Sequence, residues 1–128
     1  QDLIKQGIKF VSLDEVLSNA DIITINIPLN EENRNIISKE KIRLMKKTAT
    51  FINTSRGELV DMNELINYAD ENKTFNVGLD IDAENYKDIL SIKRNNVIVT
   101  PHIAGVTKEA VERMDVEVAN RLVEYIKK

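Results

Sequence analysis

The spacing of apolar positions changes several times along the chain. Ala20 to Pro28 reads ADIITINIP, a nearly continuous β-branched run. Such a run predicts a strand buried on both faces, the kind that belongs to parallel sheets. Pro28 ends it, because proline cannot continue a central strand. Ala49 to Asn53 (ATFIN) repeats the pattern, and Asn76 to Asp80 (NVGLD) and Asn96 to Thr100 (NVIVT) give two shorter strands. Helical spacing fills the intervals. Ser12-Leu-Asp-Glu15 fits a capping box, which predicts a short helix to about Asn19. Ser38 is placed to cap a helix running to about Lys46. Asp61-Met-Asn-Glu64 starts another, with Met62, Leu65, Ile66 and Ala69 as its apolar stripe. Residues 81–95 are polar and charged and predict a loop or a weak helix. Thr107 to Lys128 predicts a long amphipathic helix, with Met114, Val118, Leu122 and Ile126 recurring on one face.

Strands alternating with helices predict an α/β fold, a parallel sheet of βαβ units flanked by helices. Ligands of such sheets bind at the carboxyl ends of the strands. That rule directs attention to four segments: Asn26–Pro28, Asn53–Gly57, Asp80–Asn85 and Thr100–Gly105.

Composition removes several alternatives. The 128 residues suffice for one domain. A net charge of -3 lacks the basic surplus that a nucleic-acid partner requires. The chain has no cysteine, which removes disulfides, thiolate catalysis and cysteine-ligated zinc. No apolar run approaches the roughly 20 residues that span a bilayer, so no membrane partner is expected. The N-terminal QDLIKQG has no apolar core of a signal peptide, and a cytoplasmic location is expected. The chain does not begin with methionine, so its first residue reads as a boundary within something longer.

Three groups at the strand ends could carry chemistry. His102, the single histidine, lies in TPHIAG after the fourth strand. Histidine is the usual acid/base near neutral pH, although a structural histidine bound to a carbonyl is the plainer alternative. Arg56, in NTSRGELVD, offers a planar fork suited to a carboxylate, with Gly57 beside it permitting close backbone approach. A solvated arginine in a turn is the competing reading. Asp80, Asp82 and Glu84 form an acidic cluster that could bind a ribose or carboxamide or support a histidine. A metal site there is the weaker reading, since only one histidine is available. A cationic fork, an acid/base histidine and a carboxylate together suit a reaction on a 2-oxoacid.

The segments NTSRGELVD, GLD and VIVTPHIAGVTKEA, in that order, closely resemble the D-isomer-specific 2-hydroxyacid dehydrogenases. VSLDEVLSNADIITINIPL matches the family's segment in which a strand ends in a polar-X-Pro triplet, so the resemblance covers almost the whole chain. It implies a Rossmann-like NAD-binding domain, of which residues 1–128 form the C-terminal portion with the long helix at about 107–127. The implied reaction is reversible hydride transfer between NAD(P)H and a small-molecule 2-oxoacid. Arg56 would bind the substrate carboxylate and His102 would donate the proton. Asp80 would contact the nicotinamide carboxamide or its ribose. Asn26, Ile27, Pro28, Thr54 and Ser55 would line the cofactor, with Ala104 and Gly105 near the nicotinamide.

Two departures qualify this expectation. The family's glutamate partner of the histidine usually lies five residues after the aspartate that matches Asp80, and Asn85 occupies that position. Glu84 is the expected substitute, ahead of Asp82. The proline that usually follows is also absent. The second departure is the glycine-rich GxGxxG turn that receives the pyrophosphate on a helix N-terminus. The four glycines here are Gly7, Gly57, Gly78 and Gly105, and none forms it. The first βαβ unit and the substrate domain are absent too, as is the acidic residue that separates NAD from NADP. NAD is the cofactor implied, with NADP left open. The isolated chain is expected to be inactive. The alternative is a naturally truncated, non-catalytic binding or regulatory module of the same fold. A sheet edge left unpaired predicts a homodimer or other self-association.

Overall fold

The computed structural model describes residues 2–82 and 84–127. Its centre is a four-stranded parallel sheet in the order β1-β2-β3-β4, with β1 Ile22–Ile25, β2 Thr50–Asn53, β3 Asn76–Asp80 and β4 Val97–Thr100. Strands adjacent in sequence are adjacent in space, so each connection carries one crossover. The expected α/β, Rossmann-like sheet is therefore present.

The helices are α1 Asp2–Lys5, α2 Leu13–Asn19, α3 Lys39–Ile42, α4 Met62–Glu71, α5 Lys87–Leu90 and α6 Lys108–Ile126. Two expected caps form as drawn. Ser12 Oγ accepts the Glu15 amide at 3.2 Å, and Asp61 Oδ1 accepts the Glu64 amide at 3.0 Å. Both satisfy a helix N–H that otherwise has no partner. The Ser38 helix is shorter than expected. Its hydroxyl donates to Glu40 Oε2 at 2.6 Å and makes no backbone cap, and the chain tightens after Ile42 into bonds from Leu44 to Lys41 and from Met45 to Ile42. Residues 81–95 carry a 3-10 turn at Glu84–Tyr86 and then α5, in keeping with a weak helix.

One expectation fails in a physical way. The strands are covered on one face only. Ile23, Phe51, Val77 and Val97 share a register row, as do Ile25, Asn53, Leu79 and Val99, and these rows pack into the core with Leu17, Ile42, Leu65 and Ile66. The opposite row places Ile22 and Ile98 at 68% and 70% exposure. β1 accordingly alternates exposed and buried positions rather than burying both faces. The continuous apolar run reflects two apolar faces, of which the described helices cover one.

Helix α6 shows the same feature. Thr107 caps it through the Ala110 amide at 3.2 Å, and the expected periodicity holds to Ile126. Its expected end at Lys128 lies outside the described residues. Yet no α6 residue is buried, and Met114, Val118, Leu122 and Ile126 are 57% to 72% exposed. No described helix is long and apolar enough to cross a membrane.

Candidate functional site

The carboxyl ends of the strands carry the turns that hold every candidate residue. The turn after β2 is built by Asn53, which is fully buried. Its Oδ1 accepts the Ser55 amide at 2.9 Å, and its Nδ2 donates to the Arg56 carbonyl at 2.8 Å. One amide side chain thereby folds the NTSR turn onto the strand end. Ser55 Oγ donates to the Ile25 carbonyl at 3.2 Å and ties this turn to the end of β1.

Gly57 opens a 3-10 turn, Gly57–Leu59, directly after Arg56. Its lack of a side chain is required by Tyr86. A Cβ at this position would lie 2.9 Å from Tyr86 Cζ and 2.8 Å from its hydroxyl. The half-buried Tyr86 ring thus rests on the arginine turn and docks the segment that follows β3.

His102 lies after β4 with φ 55°, in the left-handed region. Histidine tolerates that region better than most residues, at a cost of about 1–3 kcal/mol. Its own amide donates to the Thr100 carbonyl at 3.0 Å. The next two amides, of Ile103 and Ala104, donate to Asp80 Oδ1 and Oδ2, each at 2.8 Å. The Thr100 hydroxyl donates to Asp80 Oδ1 at 2.5 Å. Hydrogen bonds to a charged group contribute about 1.5–3 kcal/mol each, enough together to offset the strain. Burial pushes the Asp80 carboxyl up, but the bonds from Thr100, Ala104 and Ile103 and the nearby His102 outweigh it. Asp80 is therefore held below the ordinary aspartate value.

The two main candidates meet. Arg56 Nη1 and His102 Nε2 lie 3.3 Å apart. Arginine has no acceptor, so its N–H faces an imidazole nitrogen whose lone pair is free.

Glu84 is placed differently from the expectation. It lines the same cavity as His102, but its Oε1 is held by Lys87 Nζ. That cavity is about 680 Å³ and is also lined by Thr54, Asp80, Asp82, Pro101, Gly105 and Val106. A second cavity of about 460 Å³ is lined by Asn26, Ile27, Pro28, Leu29, Thr54, Ser55 and Arg56. Thr54 borders both, which makes the two one continuous crevice. Ala104 contributes through its backbone amide. Among the described residues, no group of three acidic or histidine side chains could hold a metal ion. Three contributors escaped the sequence reading: Asn53, Thr100 and Tyr86. An asparagine and a threonine that each end a buried strand were the available signals for the first two.

A parallel sheet with its polar crevice across the carboxyl strand ends, carrying an arginine and a histidine in contact, defines the nicotinamide side of a dinucleotide-binding oxidoreductase domain. Residues 1–104 match the profile described as "D-isomer specific 2-hydroxyacid dehydrogenase, NAD binding domain". The chain belongs to this family. It is 37% identical over 122 residues to a glyoxylate reductase of Thermococcus litoralis, covering 94% of this chain and 37% of that protein. It superposes with a TM-score of 0.76 on a D-lactate dehydrogenase from Aquifex aeolicus complexed with NAD and lactic acid, at 32% identity, covering 99% of this chain and 43% of that one. An acyclic imino acid reductase in complex with NADPH and D-Arg gives a TM-score of 0.83 at 31% identity, covering 95% of this chain and 39% of that one. The chain spans well under half the length of these relatives.

Proposed function

We propose that this chain supplies the nicotinamide half of the active site of an NAD(P)-dependent D-2-hydroxyacid dehydrogenase that reduces a small 2-oxoacid. The observation that carries this reading is the 3.3 Å approach of Arg56 to His102 across the ends of β2 and β4. The residues fit the nicotinamide end of the cofactor. Asn26, Ile27, Pro28, Thr54 and Ser55 line one cavity, and Asp80, His102 and Gly105 line its neighbour. Asp80 Oδ2 accepts one described bond and keeps a lone pair for a carboxamide or ribose donor. Ala104 borders this position through the loop it shares with His102. No glycine-rich turn for the pyrophosphate exists in these 128 positions, so binding by this chain alone is expected to be weak.

When bound, the reduced cofactor supplies the hydride. The protein's part is orientation and proton supply. Arg56 grips the substrate carboxylate with its fork, displacing the contact with His102. This places the 2-oxo group beside Nε2 of His102. Protonated His102 gives its proton to the carbonyl oxygen as that oxygen becomes a hydroxyl. Glu84, once released from Lys87, is the carboxylate available in the same cavity to support the imidazolium. A cytoplasmic site of action and pairing through the open edge of β1 complete this proposal.

The test is a graft. Residues 1–104 replace the matching segment of the Thermococcus litoralis glyoxylate reductase, and NADH oxidation by glyoxylate is followed. Turnover that Arg56→Ala and His102→Ala each remove supports the reading. A folded chimera that binds NADH but turns over no better than His102→Ala overturns it.

A further inference from the structure

We propose that Asp80 is a positioning residue, a clamp at the end of the middle strand that sets the histidine loop and so fixes where the imidazole meets Arg56. β3 lies between β2, which delivers Arg56, and β4, which delivers His102. A group at the end of β3 can therefore govern the gap between them. Asp80 is 5% exposed, and three donors from the β4 loop converge on it: the Thr100 hydroxyl and the amides of Ile103 and Ala104.

These donors flank His102 on both sides. Thr100 precedes it by two residues, and Ile103 and Ala104 follow it. Between them the chain turns through the left-handed conformation of His102. That conformation persists only where surroundings over-determine it. Two successive amides pointing the same way need an acceptor with two oxygens, and a carboxylate is the side chain that provides it. An asparagine of equal size accepts through one oxygen only and would set its N–H₂ against the second amide. The requirement at this position is thus for a carboxylate, on grounds separate from any contact to a cofactor.

The structural part of this proposal stands on geometry, and its catalytic meaning rests on the dehydrogenase reading. The experiment separates them. Amide hydrogen exchange is measured by NMR on the 128-residue chain, comparing Ile103 and Ala104 with the strand amides of Leu79 and Val99. In the unaltered chain the two loop amides are expected to be protected. In Asp80→Asn one of them is expected to exchange at least about tenfold faster, with the strand amides unchanged. Thr100→Val, which leaves both carboxylate oxygens in place, is expected to keep the loop amides protected. Loop amides that exchange equally fast in all three chains overturn the clamp, as does loss of protection spread evenly across the sheet. In the grafted reductase, Asp80→Asn is expected to lower kcat more than it raises KM for glyoxylate, because Arg56 is untouched. A graft that is inactive before any substitution would refute the dehydrogenase reading and leave the exchange result to decide the clamp.

Discussion

Arg56 and His102, 46 residues apart, bring a guanidinium nitrogen and an imidazole nitrogen to 3.3 Å at the mouth of one crevice. The contact orients both groups toward the place a 2-oxoacid would occupy. Arg56 Nη1 also donates to the Ser55 carbonyl at 2.8 Å, so the guanidinium is braced before any ligand arrives. Lysine carries the same charge but lacks the planar fork. In the grafted reductase, Arg56→Lys is expected to raise KM for glyoxylate about 10- to 100-fold, as loss of a charged hydrogen bond implies. Steady-state kinetics check this. An unchanged KM would place the carboxylate elsewhere.

Gly57 and Tyr86 offer a second test, free of catalysis. Gly57→Ala forces a methyl group into the Tyr86 ring and is expected to destabilise the chain by about 1–3 kcal/mol, the usual range for overpacking. In a Tyr86→Ala background the same substitution should cost much less. Urea unfolding of the two single variants and the double variant gives the coupling directly. Additive effects would mean that the ring does not rest on the arginine turn.

Much of this arrangement was legible in the sequence, for identifiable reasons. β-branched runs marked the four strands, and caps at Ser12, Asp61 and Thr107 marked three helix starts, because each signal acts locally. The Arg56 and His102 turns were legible through their motifs. What escaped depended on distant geometry. The apolar run around Ile22 and Ile25 spoke for burial on both faces, and no local signal tells which face is covered. Glu84 was expected beside His102, but the 3-10 turn brings it onto Lys87. Asp80 as the anchor of the His102 loop required the left-handed turn at His102, which no spacing announces.

Acid should loosen the chain in a defined window. Asp70 is held below the ordinary value by its bonds from Arg94 and then Lys73, and Glu71 by its bond from Arg43. For Asp80, burial works the other way and is outweighed by the bonds it accepts. A carboxyl whose folded value lies below its unfolded value stabilises the fold above the unfolded value. That contribution is lost as pH falls through the folded value. Unfolding midpoints in urea are therefore expected to stay level from neutral pH to about 5 and to drop below about pH 4. The drop should be shallower in Asp80→Asn. Equal acid sensitivity in that variant would mean that Asp80 adds nothing to it.

The last prediction concerns the open edge of the sheet. β1 pairs only with β2, and the Asp21 carbonyl accepts the Thr50 amide at 2.9 Å. Backbone groups of alternate residues point the same way along a strand, so Ile23 and Ile25 face β2 while Ile22 and Thr24 face the open edge. That edge offers unpaired N–H and C=O groups beside an apolar face on which Ile22 is 68% exposed. The 128-residue chain is accordingly expected to dimerise or associate further as its concentration rises. Static light scattering would show a mass above that of one chain. Ile22→Lys places a charge at the edge and is expected to shift the equilibrium toward monomer. A chain that stays monomeric at high concentration would refute pairing through this edge. Association that Ile22→Lys leaves unchanged would move the contact to the exposed face of α6, where Met114, Val118 and Leu122 await the corresponding charge substitutions.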